Sequence, residues 1–289
     1  MLSSQLLVNL TINALSVGML YFLLTSGFSL VFGLLRVLNF SHGSLIMWGA
    51  YMGVYFVKAL SSFSLALIVS AVIVGIMLAL IEVFLIRRLY GHGGELFQIL
   101  LTFGLIYILD EIVKIIWGPA TIPVQKPAFA QGSVIIYGEP FAVYRIYILG
   151  IGAVASAAIY LLLNKTKIGL IIRAGIENKE MVRALGININ RVFTFVCWVG
   201  GFLAGLSGCV LGYFTGLNPE MGINQLLTVL VIVVVGGLGS ILGSAIAAIL
   251  VALGEAFLGF FLPELAILSL FIVMFIVLSI KPSGLLGEE

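Results

Sequence analysis

Charged residues are scarce in this 289-residue chain: they make up 9% of it, whereas hydrophobic residues make up 62%. A soluble protein could not keep so much apolar surface away from water, because its outside must be largely solvated. The chain also lacks a polar stretch long enough to form a separate soluble domain. The composition therefore predicts a polytopic membrane protein with a single transmembrane domain over residues 1–289.

Cysteine and net charge are also low, and each excludes a class of function. The two cysteines, Cys197 and Cys209, fall in one predicted helix about 18 Å apart, too far for a disulfide within it. They are too few for a four-cysteine metal site, and we expect no metal site. A formal net charge of +2 does not fit a basic nucleic-acid binder. The two histidines, His42 and His92, lie in separate segments without companion acids, so we expect no catalytic residues.

Nine apolar segments approach the roughly 20 residues that a transmembrane helix needs. They predict an all-α fold with about nine spans (roughly eight to ten). The second and seventh segments are short and flanked by polar residues, which favours broken or re-entrant helices. The predicted spans are 9–34, 44–58, 64–86, 96–117, 146–163, 193–214, 226–238, 242–261 and 264–280.

Lysine and arginine residues predict the orientation. They concentrate in the loop 165–192, at Arg87 and Arg88 after the third span, and at Lys281 after the last. With nine spans all three places lie on one side, which the positive-inside rule assigns to the cytoplasm. The N-terminus is then outside, the C-terminus is cytoplasmic, and the proline-containing segment 118–145 is outside.

Two polar breaks in the apolar sequence resemble each other. Residues 33–43, GLLRVLNFSHG, and residues 212–222, GYFTGLNPEMG, share a Leu-Asn pair and the glycines at both ends. Each break ends one hydrophobic helix and begins a shorter one, the first on the inner side and the second on the outer side. This pattern predicts an inverted repeat of two four-helix halves, and a chance similarity is the alternative.

Polar and small residues at irregular points of membrane helices are candidates for lining a translocation path. The alternative is a structural role, with Ser41 as a helix N-cap and the Gly236–Gly239 region as a tight turn, which we favour over a hinge. The candidate path residues are Asn39, Ser41, His42, Asn218, Gly236, Gly237 and Gly239.

The basic loop 165–192 contains a predicted short helix at 176–185. Glu177 falls in its first turn, and Gly186 is placed to cap its C-terminus. Its small apolar face consists of Val182 and Leu185 with either Ile176 or Met181. So short a helix is marginal alone in water. It is either a surface helix at the lipid headgroups or a contact for a cytoplasmic partner.

Four stretches of the chain together resemble one family. Residues 176–191, IENKEMVRALGININR, resemble the cytoplasmic loop of ABC importer permeases of the branched-chain amino acid class, in which an acidic residue, a small helix and "LGIN" dock on the ATPase. The stretches LNFSHGSLIMWGAY (38–51), VVGGLGSILGSAIAAILVALGEAF (234–257) and KPSGLLG (281–287) resemble further motifs of that family in the same order. The combination is most similar to the H-type of the two paired permease subunits.

The resemblance implies partners in a bacterial or archaeal cytoplasmic (inner) membrane. They are a second permease forming a hetero- or homodimer with this chain, two cytoplasmic ATPase subunits and a periplasmic binding protein. The chain lacks a G-x-x-x-x-G-K-[ST] phosphate-binding loop, so we expect ATP and Mg to bind the partner ATPases and no cofactor to bind here. The implied docking residues are Glu177, Glu180, Met181, Ala184, Leu185, Gly186 and Ile187.

The implied cargo is a branched-chain or other hydrophobic amino acid. A same-family permease for urea, short amides or small carboxylates is an alternative that the sequence does not separate. An ion-coupled secondary transporter would need intramembrane acids, for which only Glu255 and Glu82 are candidates. Asp110 and Lys114, four residues apart on one predicted helix, are expected to form a structural pair.

Overall fold

The chain is almost entirely helical in the computed structural model, which describes residues 4–90, 94–136, 138–266 and 268–287. A helix lies at each of the nine predicted spans, and two short helices lie in the basic loop. The helices are α1 (Ser4–Leu35), α2 (His42–Leu60), α3 (Phe63–Phe84), α4 (Gly94–Trp117), α5 (Val143–Lys165), α6 (Lys167–Glu177), α7 (Lys179–Ala184), α8 (Ile189–Thr215), α9 (Met221–Gly236), α10 (Ile241–Phe261) and α11 (Ser269–Ile280).

Among the residues that the structure describes, five stretches of helix are long and apolar enough, by length and composition, to cross a membrane. Shorter apolar helices are α9 and α11. The apolar helices, together with the composition, make this an all-α polytopic membrane protein. The five stretches are Leu6–Leu35, Phe63–Leu89, Val143–Lys165, Ile189–Thr215 and Ile241–Phe261.

A small hairpin departs from the predicted all-helical pattern. Strands β1 (Ser133–Ile136) and β2 (Glu139–Ala142) pair antiparallel, and Gly138 in the turn between them has φ 86°. The prolines before and within this segment oppose helix formation. Strand pairing then gives the backbone polar groups the partners that a helix would otherwise have supplied. Short 3₁₀ turns lie at Ile86–Leu89, Ala128–Ala130 and Pro263–Leu265.

Glycines let α8 pack closely against its neighbours, because small residues on a membrane helix permit close approach of another helix. A methyl group at Gly208 would overlap the carbonyl oxygen of Ile46 in α2. One at Gly205 would come within 2.8 Å of the Ala71 Cα in α3. The close approach holds α2 and α3 directly against α8, in the centre of the bundle.

The helix ends define two sides of the bundle. Near Gly175 in α6, the side chains of Leu34 in α1 and Ile189 in α8 lie together. The end of α1 and the start of α8 are therefore on the same side, here called the loop side. At the other end of α8, Leu217 forms a bridge with Ile122 from the segment that leads to the β-hairpin, and this is the hairpin side.

Candidate translocation and docking sites

The chain re-enters the bundle after α1. The helix ends at Leu35, and Arg36 adopts a left-handed conformation with φ 57°. The ring nitrogen Nε2 of His42 then lies 3.3 Å from the carbonyl oxygen of Leu24, about three turns back along α1. Because the chain has run back alongside the helix it left, α2 begins inside the bundle rather than at its surface.

A second re-entry follows α8, from the hairpin side. Gly216, with φ 85°, turns the chain back at the end of the helix, and α9 begins at Met221. Gly222, in its first turn, packs against Gly43 in the first turn of α2: a methyl group at Gly43 would overlap the Gly222 carbonyl oxygen. The N-termini of α2 and α9 therefore meet inside the bundle.

The same asparagine turn prepares both helix starts. The Oδ1 atom of Asn39 accepts the backbone N–H of Ser41 at 3.1 Å, and Oδ1 of Asn218 accepts that of Glu220 at 2.8 Å. The backbone carbonyl oxygen of Asn39 accepts the N–H of His42 at 3.2 Å, and that of Asn218 accepts the N–H of Met221 at 3.0 Å. Short polar side chains that bond to the backbone two residues on are typical of turns. The two breaks thus have the same local geometry.

The first three candidate path residues are buried in this chain. Asn39 is 2% exposed, His42 is 1% exposed and Ser41 is fully buried. The Ser41 hydroxyl donates to Asn39 Oδ1 at 2.6 Å and makes no capping bond to α2. Ser41 therefore occupies the N-cap position, as the structural alternative predicts, but its hydroxyl binds Asn39 instead of a backbone N–H of α2.

Gly236, Gly237 and Gly239 form a tight turn between α9 and α10, as we favoured. Gly237 has φ 100° and Gly239 has φ 85°, backbone conformations that glycine adopts without strain. The carbonyl oxygens of Val235 and Gly236 accept the N–H groups of Leu285 (2.8 Å) and Leu286 (3.0 Å). The segment 281–287 thus supplies partners for carbonyl groups at the end of α9.

Beside this turn, a cavity of about 430 Å³ opens on the loop side. Gly239 lines it together with Arg36, Ile176, Pro282 and Leu286. Among the seven candidate path residues, Gly239 thus lies at a cavity, whereas Asn39, Ser41 and His42 lie in the packed interior.

The predicted docking helix at 176–185 is wrong in its boundaries, because it is split in two. Asn178 has extended backbone angles (φ −153°, ψ 100°), and its Oδ1 accepts the N–H of Met181 at 3.0 Å. Asparagine is a strong N-cap residue and here starts a new helix. Glu177 therefore ends α6, and Glu180 lies in the first turn of α7.

Gly186 caps the C-terminus of α7, which confirms the prediction from its position. With φ 79°, it donates its N–H to the Arg183 carbonyl at 2.9 Å. Ile187 donates to the Val182 carbonyl at 3.4 Å. These two bonds form a Schellman motif, the common glycine-dependent end of a helix.

The predicted apolar face of α7 is not buried as a unit. Val182 is 2% exposed and anchors the helix, whereas Met181 is 63% exposed and Leu185 is 74% exposed. This differs from the prediction because α7 is only six residues long and buries one apolar side chain, that of Val182. Among the other predicted docking residues, Ile187 is half-buried and the rest are exposed: Glu177, Glu180, Ala184 and Gly186.

Lys179 joins α7 to the end of α1. Its Nζ atom donates to the Leu35 carbonyl at 3.5 Å and lies 5.3 Å from the centre of the Phe193 ring. Burial, together with the nearby charges of Arg36 and Arg183, lowers the pKa of Lys179. The docking element is thus held against the first re-entrant break.

The two intramembrane acids considered for ion coupling are both hydrogen-bonded. Glu82 is fully buried and accepts two bonds from Arg87 (2.9 and 2.7 Å) and one from the Thr194 hydroxyl (2.9 Å). Glu255 accepts the hydroxyl proton of Tyr21 at 2.7 Å. These contacts join helices to one another, and they favour structural roles for both acids.

The predicted pair of Asp110 with Lys114 is wrong. Lys114 pairs with Glu111 at 3.1 Å, and Asp110 accepts the Ser44 hydroxyl proton at 2.6 Å. Asp110 faces the start of α2 because that helix begins inside the bundle, which spacing along α4 alone does not indicate. His92 lies outside the described residues.

Glu220 lies at a depth that the sequence pattern does not indicate. The apolar run that predicts the seventh span begins at residue 226 and places Glu220 in an outer loop, whereas α9 starts deeper, at Met221. Its place two residues after the Leu-Asn pair of the second break is the available signal.

Comparison with known proteins places the chain in a family. The family model for the permease component of branched-chain amino acid transport systems matches residues 10–278. The high-affinity branched-chain amino acid transport system permease protein LivH of Escherichia coli is 27% identical over 291 residues, which cover 96% of this chain and 94% of LivH. BraD of Pseudomonas aeruginosa, named for the same system, has the same identity and coverage.

An archaeal relative extends the match. The probable branched-chain amino acid transport permease protein LivH of Methanocaldococcus jannaschii is 26% identical over 92% of this chain and 88% of its own length. No solved structure matches the chain significantly. The family is a transport permease component rather than an enzyme. Since its model matches nearly the whole chain, this protein belongs to the family of permease components of branched-chain amino acid transport systems.

Proposed function

We propose that this chain is the H-type permease subunit of an ABC importer and forms, with a second permease, the membrane path for branched-chain or other hydrophobic amino acids. The observation that carries the proposal is the family match over residues 10–278. Relatives named as branched-chain amino acid permeases in two bacteria and an archaeon support this cargo.

In this proposal the loop 165–192 docks on an ATPase subunit. The exposed Met181 and Leu185 support it, because apolar side chains that protrude from a short helix fit a protein partner better than water. Gly186 fixes the end of this helix, and Val182 fastens it to the bundle. Two ATPase subunits would bind ATP and Mg, so this chain needs no cofactor of its own.

The orientation follows from the positions of lysine and arginine. The loop side carries the basic loop 165–192, Arg87 and Arg88, and we assign it to the cytoplasm. A periplasmic binding protein would then deliver cargo to the hairpin side. The N-terminus would be outside and the C-terminus cytoplasmic, with residues 1–289 as one permease domain.

The inverted repeat is part of the same proposal. The matching turns at Asn39 and Asn218, and the opposite directions from which the chain re-enters the bundle, support two halves related by an axis in the membrane plane. Such repeats commonly bracket a substrate path. We therefore place the path beside the junction of α2 and α9.

Uptake by a reconstituted complex tests the function. The chain would be copurified with its second permease and ATPase, placed in proteoliposomes with the binding protein, and supplied with radiolabelled leucine or urea. We expect leucine uptake that requires ATP. Uptake of urea, a short amide or a small carboxylate instead of leucine would favour the alternative cargo. Uptake by this chain alone, driven by an ion gradient, would contradict the ABC assignment.

A further inference from the structure

The start of α9 carries polar side chains on a face that points away from the bundle. Glu220, directly before the helix, and Asn224 are exposed, and Thr228 is half-buried. Residues four apart lie one above the other on a helix. The backbone follows this spacing, since the Asn224 N–H bonds to the Glu220 carbonyl at 3.3 Å. We call Glu220, Asn224 and Thr228 the α9 polar face.

The N-terminal end of this face lies near mid-depth of the bundle, between the loop side and the hairpin side. His42 packs beside Gly27, which also contacts Gly200 and Leu203 near the centre of α8. Gly43, the next residue after His42, contacts Gly222 in the first turn of α9. Glu220 is two residues from this contact, within about 7 Å even for an extended chain. Glu220, whose side chain is exposed, therefore lies within about 7 Å of the depth at which α8 is in mid-span.

A second carboxylate lies near the same junction. Ser44, which packs against Gly222, donates its hydroxyl proton to Asp110 in α4 at 2.6 Å. Asp110 is half-buried. The outward surface around the starts of α2 and α9 therefore combines two carboxylates with amide and hydroxyl groups.

Lipid is an unfavourable neighbour for this surface. A charged side chain in the hydrocarbon core is costly, and such residues normally face a bundle interior, a partner or water. Among the residues that the structure describes, the ion pairs do not include Glu220. Lys114, which is on α4 near Asp110, is already paired with Glu111.

We infer that the α9 polar face is covered by the second permease, and that this partner is a different chain presenting hydrogen-bond donors or a cationic side chain at this depth. The inference rests on the proposed function, since it locates the surface where the two permeases meet. A second copy whose two-fold axis passed through this face would present the same carboxylates in return, so such self-pairing would add negative charge where positive charge is needed.

Photo-cross-linking in the copurified complex tests this placement. Asn224→Cys would carry a benzophenone maleimide, and Val154→Cys, exposed on α5 away from this surface, is the matched control. Both native cysteines are fully buried and should give little background. Ile223→Cys, at the neighbouring exposed position, is the second variant in case Asn224→Cys does not assemble.

We expect Asn224→Cys or Ile223→Cys to cross-link to the second permease at least tenfold more than Val154→Cys. Adducts only with lipid, or only with a second copy of this chain, would overturn the inference. Because the experiment uses a complex already shown to take up leucine, either result would leave the proposed function standing. Absence of leucine uptake by the wild-type complex would instead count against the proposed function.

Discussion

Replacing Asn39 with leucine should destabilise the protein far more than the same change at Asn218. Asn39 is buried, and its Oδ1 accepts both the N–H (3.1 Å) and the hydroxyl (2.6 Å) of Ser41. Leucine would leave two buried donors without a partner, at about 1–3 kcal/mol each. We therefore expect a loss of about 2–6 kcal/mol for Asn39→Leu.

Asn218 makes the matching bond under different conditions. It is half-buried, and its Oδ1 accepts one N–H, from the exposed Glu220 at 2.8 Å. Water can replace that acceptor in part, so Asn218→Leu should lose at most about 1 kcal/mol, the net contribution of a typical hydrogen bond. The two equivalent turns should thus respond unequally.

The difference in stability between the two variants can be measured as a difference in apparent melting temperature. Heated samples of each purified protein are monitored by the loss of the monodisperse peak in size-exclusion chromatography. At about 2–4 °C per kcal/mol for a chain of roughly this size, Asn39→Leu should melt at least about 4 °C below wild type. Asn164→Leu, at an exposed position in α5, is the control and should remain close to wild type. Equal shifts for the Asn39 and Asn218 variants would refute the reasoning.

Three further predictions concern ATPase docking, the contacts of Glu82 and the orientation of the chain. Leu185→Asp should preserve folding, because this side chain is 74% exposed, yet reduce ATPase copurification at least tenfold; normal copurification would argue against docking through α7. Glu82→Leu should lower the melting temperature by about 2 °C or more, since it removes the acceptor of Arg87, whose side chain is 30% exposed, and of the Thr194 hydroxyl, a loss of about 1–3 kcal/mol; an unchanged melting temperature would mean that the pair has no structural role. A membrane-impermeant maleimide added from the periplasm should label Gln131→Cys but spare Glu180→Cys, both exposed positions, and the reverse pattern would invert the orientation.

The regular helices were predictable because their signal is local. Apolar runs predicted a helix at each of the nine places where the structure has one, and the capping role of Gly186 followed from its place after a short helix. The matching turns at Asn39 and Asn218 were also visible as a repeated Leu-Asn pair. These features depend on residues that are neighbours in sequence.

Depth in the bundle was not predictable in the same way. The sequence shows that a helix breaks near residue 36, but not that the next one starts beside Leu24, three turns back. For that reason the sequence pairs Asp110 with Lys114 instead of Ser44, and it predicts a loop at Glu220. The split at Asn178 had a local signal, an asparagine N-cap, but the apolar residues on both sides favoured one continuous helix.

The bonds between segment 281–287 and the end of α9 set an order of events during synthesis. The carbonyl groups of Val235 and Gly236 receive the N–H groups of Leu285 and Leu286, which leave the ribosome only after α10 and α11. Until then, these carbonyl groups must use other partners. The end of α9 therefore gains these partners late, and a chain interrupted after α11 would have its helices but lack this closure. Synthesis of segment 281–287 and closure of α9 are thus coupled.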